Sequence, residues 1–383
     1  MTRDHDPTTQ DLLNDLGFDD HFQRKWNELN ATTDGGPPST EGAQPARVSA
    51  GHRGAYELFC AGGLREARLS GRLRGAVADI AALPAVGDWV AARIPADDRA
   101  PTVIEAVLPR RSSFTRTAAG RAAATQVVAA NVDVVFVVCG LDGDYNVRRL
   151  ERLVARVWAG GAQPLVVLNK ADLCVPGALN DDAEACADEA RLACPGVEVL
   201  VTCALNGDGL DALGAAARRP GRTSALVGSS GAGKSTILNA LLGEARFDTA
   251  PVREHDQRGR HTTTHRQLVR LPGGGLMLDT PGMRELGLAD EEGLDRVFSD
   301  LEALAVGCRF ADCAHEGEPG CAVRAAVEAG DLSADRLDAW HKLLREARSN
   351  ALRADARLYR QSQRRWGALS DEGRLIRRLK GDD

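Results

Sequence analysis

Residues 132–138 are apolar at nearly every position, the pattern of a strand buried on both faces of a parallel sheet. Shorter runs of the same kind recur at 165–168, 197–201, 224–227 and 276–278. After the first run, Leu150, Leu153, Val154, Val157 and Trp158 fall on one face at helical spacing, and Pro164 leads into the second. Strands alternating with helices predict an α/β sheet whose functional loops leave the carboxyl ends of the strands. Upstream, residues 56–59 and 67–70 alternate, and 88–93 and 102–107 are further extended candidates, with Gly71, Gly75 and Gly87 among them. Short strands with frequent turns predict a small antiparallel barrel, and an OB-fold fits the length, although other small β modules share the pattern. Downstream the periodicity turns helical, over 291–304, 321–329 and 334–363.

The chain is thus expected to be multidomain. A disordered extension covers 1–45, with residues 23–30 as a short helix candidate and 34–39 as linker. An N-terminal β-barrel covers 46–122, a central α/β domain 123–288, and an α-helical domain 289–365; a tail occupies 366–383. The length of 383 residues accommodates this, and 43% hydrophobic content suits globular cores. A net charge of −6 excludes a uniformly basic surface, so nucleic acid would be held by local patches. No apolar run reaches membrane-spanning length and no signal-peptide pattern opens the chain. Of the nine cysteines, six are scattered and three cluster with a histidine, which suits reduced thiols, a metal site and the cytoplasm.

The strand at 224–227 runs into Gly228-Ser229-Ser230-Gly231-Ala232-Gly233-Lys234-Ser235, with Thr236 next. Such a loop, between strand and helix, wraps a β-phosphate in backbone N–H groups; Lys234 neutralises phosphate oxygens and the Ser235 hydroxyl suits Mg²⁺. Asp279 ends a later strand, in Asp279-Thr280-Pro281-Gly282, where a carboxylate can hold Mg²⁺ through water and Gly282 can offer its N–H to a γ-phosphate. One hydroxyl of Thr262-Thr263-Thr264 completes the Mg²⁺ set; Thr263 or Thr264 is favoured, and the register stays open. Met283 occupies the place where many GTPases carry a water-orienting glutamine, so intrinsic turnover should be slow. His261 is the candidate to serve instead, with a solvent-exposed loop histidine as the alternative.

Asn169-Lys170-Ala171-Asp172 follows a buried strand and selects guanine. The Asp172 carboxylate can accept from both N1–H and N2–H, a donor pair that adenine lacks. Asn169 would support the loop, the Lys170 stem would cover the base, and Ala204, within Thr202-Cys203-Ala204, would give its N–H to guanine O6. A third cluster, Cys308, Cys313, His315 and Cys321, offers three thiolates and an imidazole. That is a closed tetrahedral Zn²⁺ set, structural rather than catalytic, with Glu316 and Glu318 as harder substitutes.

These motifs stand in rotated order, base-reading loop before phosphate loop. With Gly259-Arg260-His261-Thr262-Thr263-Thr264, Asp279-Thr280-Pro281-Gly282 and the Cys/Cys/His/Cys spacing, the chain resembles the ribosome small-subunit-dependent GTPase A (RsgA/YjeQ) family over residues 46–363. The resemblance implies an OB-fold, a circularly permuted P-loop GTPase domain and a C-terminal zinc domain. It implies a GTPase that converts GTP to GDP late in small-subunit maturation, stimulated by the small ribosomal subunit, and a hydrophobic residue in the glutamine place, as Met283 is. Cys203 stands where serine is commoner. The protein is expected to be monomeric and off the membrane, with rRNA contacts from Arg110, Arg111 and Arg116 and from the late helix, where Arg345, Arg348, Arg353, Arg357, Arg360, Arg364 and Arg365 crowd. The alternative for that helix is a solvated face paired with Glu346 and Asp355. The rotation leads the Asp279–Gly282 switch straight into the zinc domain, which nucleotide state is expected to reposition. Three rivals are a P-loop ATPase or kinase, a non-enzymatic RNA-binding protein and a permuted GTPase of the large subunit.

Overall fold

Met1–Gly287 and Leu288–Asp383 form two separate compact units. The computed structural model describes residues 8–31, 42–52, 55–76, 80–97, 100–117, 125–175, 181–245, 267–279 and 291–348. The first unit opens with helices α1 (Thr9–Asp15) and α2 (Asp20–Ala31). The barrel follows: β1 (Gln44–His52), β2 (Ala55–Cys60), β3 (Gly63–Leu69), helix α3 (Gly71–Ala76), β4 (Trp89–Arg93) and β5 (Thr102–Val107). β1 pairs with β2, β2 with β3 and β4 with β5, all antiparallel; β3 runs parallel to β5, and β4 returns to β1 and closes the ring. Alternation does the sorting. In β5, Thr102, Ile104 and Ala106 are buried, while Val103, Glu105 and Val107 are half-buried. Ala46, Ala67 and Ala92 leave room inside for Tyr56 and Leu58. Register shifts at Val48/Ala50 and Ala91/Ala92 bend β1 and β4 where the ring turns.

A hairpin of β6 (Ser113–Thr117) and β7 (Thr125–Ala130) carries the chain onward, and the expected domain boundary at residue 122 falls between its strands. The α/β domain then runs β8 (Val134–Gly140), α4 (Val147–Ala159), β9 (Gln163–Asn169), α5 (Ala183–Ala193), β10 (Glu198–Val201), α6 (Leu210–Ala217), β11 (Thr223–Val227), α7 (Lys234–Leu242), β12 (Gln267–Arg270) and β13 (Leu276–Asp279). The sheet order is β10-β9-β8-β11-β13-β12, parallel except for β12. Every residue of β8 and of β11 is buried, as their unbroken apolar runs require. β12 also pairs with β1, through Ala50 and Gln267, so barrel and α/β sheet share one hydrogen-bonded surface.

Within the expected disordered extension 1–45, the described residues 8–31 are instead helical and packed, because their apolar side chains find a partner in the barrel. Leu13, Leu16, Phe18 and Phe22 are buried, and Phe18 meets the edge of the fully buried Trp89 at 4.8 Å between ring centroids. Arg47, on β1, lies 5.5 Å from the Trp89 ring and donates to the carbonyls of Leu16, Gly87 and Asn131. Burial pulls its pKa down to about 10, so it stays ionised at neutral pH and binds α1, barrel and α/β domain at one point.

In the second unit the expected helix at 291–304 is two helices, α8 (Glu291–Val297) and α9 (Ser299–Ala305), broken at Phe298. Phe298 is buried, and Arg336 lies over its ring while donating to both Asp300 oxygens and to the Val297 carbonyl. α10 (Ala322–Ala329) is capped by the side chain of Cys321, and residues 334–348 form a further helix.

Candidate nucleotide and metal sites

Each predicted nucleotide motif among the described residues sits at the carboxyl end of a strand: Asn169 ends β9, Thr202 follows β10, Gly228 follows β11 and Asp279 ends β13. The phosphate loop needs its glycines for space as well as for turning. A Cβ on Gly228, at φ 141°, would lie 2.1 Å from the Val138 carbonyl oxygen. One on Gly233, at φ 96°, would lie 2.1 Å from Asn169 Nδ2. Gly233 caps the start of α7, so Lys234, Ser235 and Thr236 form the helix's first turn, the end of a helix that favours an anion. Lys234 Nζ donates to the Gly228 carbonyl at 2.9 Å and to that of Ser229.

The base-reading loop is anchored by Asn169. Its Oδ1 accepts from Thr202 Oγ1 at 3.2 Å and from the Ala204 N–H at 3.0 Å, and its Nδ2 donates to the Ala232 carbonyl at 2.9 Å. One buried amide thus joins three segments. The Ala204 N–H, expected to serve guanine O6, here donates to Asn169, so the loop at 202–204 and the Asn169 loop are joined directly. Lys170 takes the left-handed conformation at φ 67°, uncommon for a side-chain-bearing residue, and turns the chain from β9 into the short helical turn Ala171–Leu173. Asp172 Oδ1 accepts from the Cys203 thiol at 3.0 Å, so the cysteine serves as a donor that steadies that carboxylate.

Two carboxylates on the loop between β8 and α4 escape the sequence reading. Asp142 pairs with Lys170, and Asp144 accepts from the Ser229 hydroxyl. The signal available was position: a loop leaving the carboxyl end of an inner strand must border the phosphate loop on the next strand. Arg110 and Arg111, expected to contact rRNA, are each paired with carboxylates. Arg110 donates to both oxygens of the buried Asp88 at 2.8 Å, and Arg111 bridges Asp19 and Asp133. His261, Thr262, Thr263, Thr264, Thr280, Pro281, Gly282 and Met283 lie outside the described residues, as do Arg353, Arg357, Arg360, Arg364 and Arg365, and so does the Arg116 side chain.

In the second unit, the ligand atoms of Cys308, Cys313, His315 and Cys321 all lie within 4.8 Å of one another. His315 Nδ1 is 3.7 Å from Cys308 Sγ and 3.4 Å from Cys321 Sγ, and those sulfurs are 3.9 Å apart. A tetrahedral centre with metal–sulfur bonds of about 2.3 Å and metal–nitrogen bonds of about 2.0 Å sets such atoms roughly 3.5–3.8 Å apart. The cluster therefore fits one metal ion. Glu318 is not a substitute ligand. Its carboxylate accepts from the N–H groups of Gly317, Ala314 and Glu316, which hold its pKa down at about 2. His315, at φ 60°, packs its ring 5.3 Å from that of Trp340.

A parallel sheet with a phosphate loop on its central strand and Asn-Lys-x-Asp two strands away defines a guanine-nucleotide-binding P-loop domain. Because the phosphate-loop strand comes fourth in chain order, the domain is circularly permuted. Residues 107–289 match the RsgA GTPase family. A small ribosomal subunit biogenesis GTPase RsgA from Opitutus terrae is 46% identical over 378 residues, spanning 96% of this chain and 99% of its own length. The crystal structure of YjeQ from Thermotoga maritima superimposes with a TM-score of 0.60 at 26% identity, covering 80% of this chain and 98% of that one. The structure of YloQ, a circularly permuted GTPase, shares the fold, with a TM-score of 0.60 at 23% identity over 80% of this chain and 96% of its own. The chain belongs to the RsgA GTPase family.

Proposed function

We propose that the chain is a GTP-hydrolysing assembly factor that acts late in maturation of the small ribosomal subunit, binds its rRNA and is stimulated by it. One observation carries the guanine-nucleotide part: the bond from Asn169 to the Ala232 carbonyl, which ties the base-reading loop to the phosphate loop. The ribosomal part is supported by relatives such as the Opitutus terrae protein, 46% identical along nearly its whole length.

In this reading Asp172 reads guanine N1–H and N2–H, and the amides of residues 228–235 surround the phosphates, with Lys234 neutralising their charge. Ser235, Asp279 and a threonine of 262–264 would hold Mg²⁺, their oxygens being hard ligands; bound there, the ion offsets charge on the β- and γ-phosphates. With Met283 in the glutamine place, the protein alone turns over slowly, and His261 is the group to orient water once the subunit is bound. The Cys₃His cluster holds one Zn²⁺ that staples a unit with a small core. Arg345 and Arg348, with the arginines that follow, supply rRNA contacts. The protein works in the cytoplasm as a monomer.

The test is GTP turnover with and without purified small subunits. The expected result is a tenfold or greater stimulation by small subunits, with ATP failing to compete for a fluorescent guanine nucleotide. Equal rates with and without subunits, or equal stimulation by large subunits, would overturn the reading.

A further inference from the structure

We infer that Asp144 is a positioning residue for the phosphate loop, acting through the Ser229 hydroxyl to set affinity for the β-phosphate end of the nucleotide. This rests on the reading of residues 228–235 as the phosphate loop. β8 and β11 are neighbours in the sheet, so the loops that leave their carboxyl ends emerge side by side. The approach is close: Gly228 lies against the Val138 carbonyl, where a Cβ would stand 2.1 Å from its oxygen. From the β8 side, Asp144 Oδ2 accepts from Ser229 Oγ, 85 residues away in sequence.

The carboxylate is itself held. Arg149 donates to Asp144 Oδ1 at 2.8 Å and to the Asp144 carbonyl, from the first turn of α4, which Asn146 caps. The Asp144 N–H donates to Asp142 Oδ1 at 3.2 Å, and the other Asp142 oxygen pairs with Lys170 of the base-reading loop. One short acidic loop therefore grips both a phosphate-loop serine and the lysine beside the base. Two anions beside a polyphosphate would repel it; Arg149 and Lys170 offset them. A hydroxyl donated to a carboxylate is held in one rotamer, which steers the Ser229 side chain and the peptide beside it. The bland alternative is a solvated Asp144–Arg149 pair with no bearing on nucleotide.

The experiment is displacement of a fluorescent GDP analogue by GDP, by GMP and by ADP from the full chain, for the native protein and four variants. Native protein that prefers GDP to ADP confirms the site on which the inference stands; absence of that preference would sink the site reading itself. Given that preference, Asp144→Ala and Ser229→Ala should each weaken GDP about tenfold, the lower end for a hydrogen bond to a charged group. GMP, which lacks the β-phosphate, should shift less than twofold. The double variant should be no weaker than either single one, because both remove the same bond. Asp144→Asn, whose amide oxygen still accepts the hydroxyl, should stay within about threefold of native. Equal losses for GDP and GMP, additive losses in the double variant, or an Asp144→Asn loss as deep as that of Asp144→Ala would each overturn the inference.

Discussion

In the proposed function Asp172 separates guanine from adenine, which requires its carboxylate to be presented correctly, and two neighbours hold it. The left-handed Lys170 turns the chain, and the Cys203 thiol donates to Asp172 Oδ1 at 3.0 Å. Replacing Asp172 with Asn exchanges an acceptor pair for one acceptor and one donor. GDP affinity should fall by about 10²-fold or more, at 1.5–3 kcal/mol per charged hydrogen bond. Xanthosine diphosphate, which carries an acceptor at C2, should gain, and titration calorimetry with both nucleotides checks the exchange. Cys203→Ser should keep or tighten GDP binding, because a hydroxyl is the stronger donor. Cys203→Ala should weaken it by about tenfold in the same titration. A serine variant as weak as the alanine one would show that the thiol does not steady Asp172. Asn169, Asp172 and Lys234 stand out in the sequence because short motifs mark them, and the structure sets them at or just beyond the carboxyl ends of β9 and β11. The destination of the Ala204 N–H was not legible, since its acceptor, Asn169, lies 35 residues away.

At the scale of elements, the strands were legible where burial on both faces leaves an unbroken apolar run, as in β8 and β11, or where alternation is regular, as in β5. Helix α1 was not, and α2 showed only as a short helix candidate at 23–30, without its packing. Their segment is acidic and ends near a Gly/Pro-rich stretch, and its few apolar residues find their partner in Trp89, far along the chain. The hairpin of β6 and β7 hid for the same reason, since its strands are specified by each other and by the barrel's end. Phe22 is 1% exposed and lies 6.0 Å from the Trp89 ring. Phe22→Ala should therefore cost about 3–5 kcal/mol, read as a lowered denaturant midpoint with unchanged slope. A loss below 1 kcal/mol would mean that α2 does not brace the barrel. The second unit depends on a different element, the loop at 308–321. Its ligand atoms meet within 4.8 Å, and His315 packs on Trp340 of the last described helix. Chelation should release that loop and then the helix, seen as faster amide exchange at 308–343, with little change in the sheet of the first unit.

At the scale of the whole molecule, the permutation decides what is joined to what. β12 begins at Gln267, three residues after Thr264, and pairs with β13, which ends at Asp279; on its other side it meets β1 of the barrel through Ala50. Arg47, three residues earlier on β1, links the carbonyls of Leu16, Gly87 and Asn131. Barrel and α/β domain are thereby held by a strand pair and a buried guanidinium, contacts unsuited to breaking on each turnover. The second unit is tied to the switch sequence Asp279-Thr280-Pro281-Gly282 by chain continuity, the first unit ending at Gly287. If hydrolysis is passed on through that connection, its length matters. An insert of about ten Gly/Ser residues after Gly287 adds a flexible coil of roughly 16–19 Å root-mean-square span and should slacken the link. Turnover stimulated by small subunits should then persist while release from the subunit after hydrolysis slows, measured by co-sedimentation after a single round of GTP. If release keeps pace with hydrolysis despite the insert, the connector carries no signal, and the barrel side of the molecule must convey nucleotide state through β12 and β1.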